Sequence, residues 1–111
     1  MSDTITFEVF SKIDLRVGTI IEVKDFPEAR KPAYQLTIDF GDLGVKKTSA
    51  QITVLYSMDD LLGKQILANV NFEKKQIANF MSECLVTGAV DSDKVILLSP
   101  EEQVPNGTPI R

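Results

Sequence analysis

A recurring alternation of apolar and polar residues constrains the fold of this chain most strongly. It is clearest in residues 34–40, where four apolar residues occupy every second position: Tyr34, Leu36, Ile38 and Phe40. Successive side chains of a strand point to opposite faces, so this period is typical of a β-strand with one face in the core. The intervening residues Gln35, Thr37 and Asp39 are predicted to point outward.

A second alternating segment covers residues 13–24. Its predicted inward face consists of Leu15, Val17, Thr19, Ile21 and Val23, and its outward face of Asp14, Arg16, Ile20, Glu22 and Lys24. Gly18 interrupts the segment, which predicts a bulge or a tight bend of the kind that small barrels use to close. Because Asp14 and Arg16 lie two residues apart on one face, we expect a structural ion pair between them.

Residues 45–52 predict a third strand, which follows a hairpin loop with glycines at both ends, Gly41 and Gly44. Adjacent lysines on a strand point to opposite faces, so only one of Lys46 and Lys47 can serve a common surface. Lys47 shares its face with Ser49 and Gln51, and we therefore expect Lys47 to belong to that surface.

A fourth strand is predicted at residues 66–72, with Ile66, Ala68, Val70 and Phe72 on one face. The other face carries Asn69 and Asn71, which are predicted to reach the surface where the strand ends. A charged turn at residues 73–76 contains Lys74 and Lys75, and a fifth, apolar strand is predicted at residues 84–90.

Two helices are predicted. Residues 4–11 have the pattern of a short amphipathic helix, capped by Thr4 or Thr6, with Phe7 and Phe10 one turn apart. So short a helix must dock, and the spacing leaves open whether it covers its own domain or a second copy of the chain. Residues 54–62 predict the second helix, with Gly63 as its end and an apolar stripe of Leu55, Met58, Leu61 and Leu62.

Five strands with one helix between the third and fourth is the element order of an OB-fold. The predicted fold class is therefore all-β with short helices, a five-stranded Greek-key barrel in one domain that spans residues 1–111. OB-folds bind oligonucleotides on strands two and three and with the loops between strands one and two and between strands four and five. Arg30 and Lys31 fall in the first of these loops, Lys47 on the third strand, and Lys74 and Lys75 in the second loop.

Composition excludes several classes of function. The chain has no His and a single Cys among its 111 residues, so we expect no metal centre, no cofactor, no internal disulfide and no imidazole chemistry, and hence no enzyme. Its apolar runs are too short to span or insert into a membrane, and acidic rather than basic residues stand near the start, so we expect a cytoplasmic protein. The net charge of −4 argues against indiscriminate binding of polyanions, but a local patch still acts within a screening length of about 8 Å.

Two binding surfaces are predicted. The first would bind RNA and consists of Arg30, Lys31, Lys47, Ser49, Gln51, Asn69, Asn71, Lys74, Lys75 and Ser82. The second is an apolar groove for extended peptides, formed by Ile77, Phe80 and Met81. Phe80 has two further interpretations, as a ring that stacks on an unpaired base or as a plug in the core, and its apolar neighbour Ile77 favours the core.

Six ordered motifs resemble the tRNA-binding domain family over essentially the whole chain. They are residues 14–18 (DLRVG), 26–30 (FPEAR), 49–52 (SAQI), 70–72 (VNF), 82–83 (SE) and 104–108 (VPNGT). The resemblance departs at residues 73–76, where lysines stand in a loop that usually contains prolines and arginine-type residues. It also departs at Asn79, which replaces a glycine and is expected to adopt the left-handed conformation.

This resemblance implies an OB-fold homodimer whose interface is formed by the N-terminal residues 1–12, with Ile5, Phe7 and Phe10, and by the tail at residues 100–111. It also implies two kinds of partner. One is tRNA or another structured RNA on the basic barrel face, and the other is unfolded export proteins, whose exposed apolar segments a secretion chaperone of this family would hold. The alternative to the combined role is a chaperone with little affinity for RNA.

Overall fold

The computed structural model describes residues 3–111, which form nine strands and two short helices. The strands are β1 (Leu15–Asp25), β2 (Tyr34–Asp39), β3 (Val45–Ala50), β4 (Gln65–Asn69), β5 (Lys75–Ile77), β6 (Phe80–Ser82), β7 (Leu85–Val86), β8 (Gly88–Asp91) and β9 (Lys94–Leu97), and the helices are α1 (Phe7–Phe10) and α2 (Met58–Leu61). A 3-10 turn, Gly41–Leu43, joins β2 to β3.

Five of these strands form one antiparallel sheet in the order β3-β2-β1-β4-β7. Its two edges meet where the Glu83 amide donates to the Lys47 carbonyl at 2.7 Å, so the sheet curls into a nearly closed barrel. The hairpins β5–β6 and β8–β9 form separate two-stranded ladders. The predicted fold class, a mostly β, OB-like barrel with short helices, is confirmed.

The barrel interior contains the alternate residues that the pattern of 34–40 predicts. Leu36, Ile38 and Phe40 of this segment are fully buried, and Ile66 and Ala68 of β4 pack against them in the same cluster. Burying side chains of this size stabilises the fold by about 1.5–3 kcal/mol each. The core therefore follows directly from the period-two pattern of β2 and β4.

The bulge in β1 lies at Ile21, three residues beyond the predicted position Gly18. The pairing of β1 with β2 shifts between Ile20 and Glu22, and the inserted residue reverses the alternation. Ile20, predicted outward, is fully buried in the core, and Ile21, predicted inward, is 47% exposed. Thr19, also predicted inward, bonds to Asn106 of the tail, so the predicted faces are wrong at these three residues. Gly18 is required for another reason: a Cβ there would lie 2.6 Å from the Ile38 side chain.

Both helices are shorter than predicted. Helix α1 begins after Thr6, whose hydroxyl accepts from the Val9 amide at 3.2 Å, so the second of the two predicted caps is the one used. Helix α2 begins only after Ser57, because Ser57 and Asp60 form a reciprocal capping box. The predicted helical start at residue 54 is therefore wrong. Of the predicted apolar stripe only Leu61 is buried, while Leu55, Met58 and Leu62 are exposed. No helix within residues 3–111 has the length and apolar character needed to cross a membrane.

The tail runs along the first part of β1 and hydrogen-bonds to it. Thr108 accepts from the Val17 amide at 3.0 Å, Gly107 donates to the Val17 carbonyl at 2.7 Å, and Ile110 donates to Leu15 at 2.9 Å. The predicted ion pair beside it is confirmed, since Arg16 Nε lies 2.6 Å from Asp14 Oδ1. Arg16 also donates to the Gly107 carbonyl, which connects the ion pair to the tail.

Candidate nucleic-acid interface

A groove of about 500 Å³, here called the cationic groove, lies between the β1–β2 loop, the end of β3 and the β5–β6 hairpin. It is lined by Glu28, Ala29, Arg30, Lys31, Ala33, Ser49, Gln51, Lys75, Gln76, Ile77 and Ala78. Five residues predicted to bind RNA thus come together from three segments: Arg30, Lys31, Ser49, Gln51 and Lys75. Ile77, predicted for the peptide groove, lines the same space.

Buried residues at both ends of the β1–β2 loop hold Arg30 and Lys31 in place. Phe26 is almost fully buried, its ring packs 5.5 Å from that of Phe80, and its carbonyl accepts from the Ala29 amide. Ala33 is buried at the other end of the loop. Because both ends are fixed, the two cations project from a short anchored loop whose backbone needs little ordering on binding.

The β5–β6 hairpin forms the other wall. Its pairing sets Lys75 opposite Ser82 and Ile77 opposite Phe80, so these four residues share one face, and Met81 lies on the other. The apolar groove of Ile77, Phe80 and Met81 that was predicted does not form, because Met81 points away from the other two. Phe80 packs on Phe26, which is the core role.

The turn of this hairpin corrects a second expectation. Ala78, not Asn79, takes the left-handed conformation, with φ of 53°. The Ala78 carbonyl accepts from Gln76 Nε2 at 2.8 Å, and this contact bridges the turn. The family pattern, in which a glycine stands at position 79, predicted a left-handed residue there. The left-handed residue is instead one position earlier, at Ala78.

Lys47 and Lys74 lie outside the lining of the cationic groove, and both contact Glu83. The Lys47 amide donates to Glu83 Oε1 at 2.9 Å, and its carbonyl accepts from the Glu83 amide. Lys74 Nζ is 3.9 Å from Glu83 Oε2. The sequence did not predict that Glu83 contacts both Lys47 and Lys74, because Lys47 is 36 residues away from it in the chain.

Two predicted contact residues, Asn69 and Asn71, have side chains that are hydrogen-bonded within the protein. Asn69 is only 7% exposed and its Oδ1 accepts from the Asn71 amide, so the prediction that Asn69 reaches the surface is wrong. Asn71 is exposed, but its side chain accepts from the Asp14 amide and donates to the Lys12 carbonyl. These bonds fasten the end of β4 to the segment before β1.

Ser82 is buried in a polar cluster at the line where the barrel closes. The Thr48 hydroxyl donates to the Cys84 carbonyl at 2.7 Å. Ser82 Oγ lies 2.9 Å from the same hydroxyl, and because the single proton of Thr48 is used on Cys84, we assign Ser82 as the donor of this second bond. Cys84 is buried, and this burial raises the pKa of its thiol to about 12. We call Lys47, Thr48, Ser82, Glu83 and Cys84 the seam.

The predicted dimer residues lie on a second surface. Ile5 and Phe7 are largely exposed, and Phe10 is half-buried with its ring 6.4 Å from that of Phe7. A depression of about 370 Å³ is lined by residues of this segment and by the end of the tail, including Pro109 and Ile110. The two segments predicted for an interface therefore adjoin each other.

A family model described as "Putative tRNA binding domain" matches residues 15–109. The chain therefore belongs to the tRNA-binding domain family. It is similar to the chaperone CsaA of Bacillus anthracis, with 50% identity and a TM-score of 0.93 over 98% of this chain and 100% of that one. It is also similar to the CsaA chaperone protein of Picrophilus torridus, with 57% identity and a TM-score of 0.91 over 97% and 100% of the two chains.

Among curated proteins, the methionine–tRNA ligase of Thermococcus onnurineus is 37% identical over 107 residues. This alignment covers 96% of the present chain but 14% of the ligase. The chain thus spans only a small part of the length of the curated relatives that it matches, a domain-sized segment of each.

Proposed function

We propose that this protein is a non-enzymatic binding module that holds tRNA, or a similarly structured RNA, in the cationic groove. The observation that carries this proposal is the convergence of Arg30, Lys31 and Lys75 in one groove of a chain whose net charge is −4. Membership of the tRNA-binding domain family and the similarity to part of methionine–tRNA ligases support RNA as the ligand. Because tRNA acts in the cytoplasm, the proposal assigns the protein to that compartment.

The electrostatic balance of the groove favours a polyanion. Its lining carries three cations and one carboxylate, that of Glu28, so the local charge is +2 (3 − 1) although the chain is acidic. Screening weakens the effect of charges beyond about 8 Å at physiological salt, although one acid outside the lining, Asp93, stands in the depression that adjoins the groove at Lys31. None of the six acids at residues 59, 60, 91, 93, 101 and 102 lines it.

The polar residues of the groove complete the proposed contacts. Arg30 offers the planar fork that binds a phosphate through two hydrogen bonds, whereas Lys31 and Lys75 act as point charges. Ser49, Gln51 and Gln76 supply hydroxyl and amide groups for the sugar, the phosphate oxygens or an exposed base edge. Most of the affinity would come from phosphate contacts, which carry little sequence information.

A matched pair of variants tests this proposal. K31Q/K75Q removes two charges from the groove, and K64Q/K94Q removes two charges from lysines outside it. At 0.15 M salt each phosphate contact contributes a factor of about 4 to 5, so the first variant should lose roughly 20-fold in tRNA affinity. The second should stay within about threefold of the wild type. Equal losses in gel-shift titrations of the two variants would reject the groove as the RNA site.

A second candidate function is holding unfolded proteins, among which we propose export proteins. The two CsaA chaperones that match the chain over their whole length favour the chaperone role. A depression of about 530 Å³ adjoins the cationic groove at Lys31 and Gln51, and two exposed valines, Val54 and Val90, line it. Such apolar surface suits an extended peptide. Suppression of aggregation of an unfolded client, unchanged in 0.5 M salt and weakened in V54S/V90S, would support this role.

The homodimer forms part of the same proposal. Ile5 and Phe7 expose large apolar side chains, and Phe7 lines a depression together with the end of the tail. Two copies meeting there would remove this surface from water. A dimer would present two cationic grooves to one RNA. Two linked contacts raise the overall affinity without any new contact in either groove.

A further inference from the structure

Glu83 lies between two lysines that belong to the predicted RNA surface but do not line the cationic groove. One carboxylate oxygen accepts the amide of Lys47, and the other lies 3.9 Å from the ammonium of Lys74. The Glu83 amide also donates to the Lys47 carbonyl. A single acidic residue therefore satisfies both backbone groups of Lys47 on the open edge of β3.

The residues on either side of Glu83 fix its position. Ser82 and Cys84 both bind the buried hydroxyl of Thr48, which is the next residue after Lys47 on β3. These contacts hold the Glu83 backbone against β3 from both sides. The Glu83 side chain is 32% exposed, so it reaches the surface from a rigid base.

Lys74 differs from Glu83 in this respect, because its side chain is 68% exposed and nothing buried fixes it. An exposed ion pair of this separation is weak and salt-sensitive. Even so, a lysine that is paired with a carboxylate neutralises a phosphate less completely than an unpaired lysine. It therefore releases fewer of the counterions bound to the RNA and adds less to the affinity. Lys75, the next residue, lines the cationic groove, so the loop presents one engaged and one available cation.

We propose that Glu83 is a positioning residue for the RNA surface, which anchors β3 at the seam and withholds Lys74 from the RNA. This inference rests on the proposed function. In this arrangement Glu83 lowers the affinity for RNA while it holds the end of the β5–β6 hairpin against β3, whose Ser49 lines the groove. It would thus favour the RNA that fits the groove over polyanions in general.

Three variants separate the two roles of Glu83. E83Q keeps an oxygen that accepts the Lys47 amide but loses the charge that engages Lys74. E83A loses both contacts. E73Q removes a charge from the same loop, at an exposed residue outside the groove lining, and is the matched control.

Affinity for tRNA tests the charge role. E83Q should bind about fourfold more tightly at 0.15 M salt, with a log–log salt slope steeper by about 0.7–0.9, because Lys74 becomes available for one phosphate. This gain should disappear when K74Q is also present, whereas any effect of E73Q should be the same with and without K74Q. An unchanged affinity of E83Q, or an equal gain in the K74Q background, would overturn the inference.

Amide hydrogen exchange tests the anchoring role without RNA. The Lys47 amide should exchange at the wild-type rate in E83Q and at least tenfold faster in E83A. Equal protection of this amide in E83A would overturn the anchoring role. If the wild type fails to bind tRNA, both the proposed function and the charge role of Glu83 are overturned. If the wild type binds tRNA and E83Q leaves the affinity unchanged, only this inference is overturned.

Discussion

The buried hydroxyl of Thr48 offers the sharpest test of how the barrel closes. Thr48 is almost completely buried, and its hydroxyl donates to the Cys84 carbonyl and accepts from Ser82. The substitution Thr48→Val keeps the shape of the side chain and removes both hydrogen bonds. It therefore isolates the polar contribution of the seam from its packing.

The expected cost follows from the groups that lose their partners. The Cys84 carbonyl loses a donor at 2.7 Å, and the Ser82 hydroxyl, 3.4 Å from that carbonyl, replaces it only in part. A buried polar group without its partner costs about 1–3 kcal/mol. For a domain of this size, 1 kcal/mol lowers Tm by about 4 °C or slightly more, so T48V should melt roughly 4–12 °C below the wild type.

Urea denaturation of T48V, S82A and the double variant measures this cost at a fixed protein concentration. Because Thr48 and Ser82 contact each other, the double variant should lose less than the sum of the two single losses, by about 0.5–1.5 kcal/mol. A T48V protein as stable as the wild type would refute the role of this hydroxyl. Strict additivity of the two losses would refute the direct bond between Thr48 and Ser82.

Three further predictions concern the tail, the apolar surface and the thiol. Asn106 Oδ1 accepts from Thr19 and Gln65, so N106A should lose about 1–3 kcal/mol in urea denaturation, whereas N106D, which accepts both bonds, should keep most of the stability. I5S/F7S should shift a dimer to monomer in sedimentation velocity, whereas I96S, a substitution on β9, should not; a wild type that sediments as a monomer would contradict the dimer. The raised pKa of Cys84, about 12, predicts that at pH 8 the folded protein reacts with a disulfide reagent at least 100-fold more slowly than the unfolded chain. It also predicts that Cys84 lowers the stability only as the pH rises from about 9, where the unfolded thiol ionises, toward 12. Rapid labelling of the native protein would contradict both.

The sequence predicted those parts of the fold that depend on local pattern. The alternation of Leu36, Ile38 and Phe40 placed β2 correctly, because Leu36 and Ile38 on one face of that strand are buried in the core. The order of the elements predicted the barrel. That topology then brought Arg30 and Lys31 together with Lys75, although these residues lie more than 40 positions apart.

The errors arose where one residue or one distant contact changes the local pattern. An inserted residue in β1 exchanged the faces of Ile20 and Ile21, and a capping box delayed the start of α2 to Met58. Asn69 appeared to be a surface amide because its partner, the Asn71 amide, is a backbone group that no side-chain pattern reveals. The contacts of Glu83 depend on the closing of the barrel, which joins residues 36 positions apart.

The salt dependence of tRNA binding tests the central claim most directly. Filter-binding titrations of the wild type and of R30Q/K31Q/K75Q between 50 and 300 mM salt, within the range in which such slopes are linear, give the two log–log slopes. If all three cations contact phosphates, the slope of the variant should be shallower by about 2–3. Equal slopes for the two proteins would show that the cationic groove of this acidic barrel is not where RNA binds.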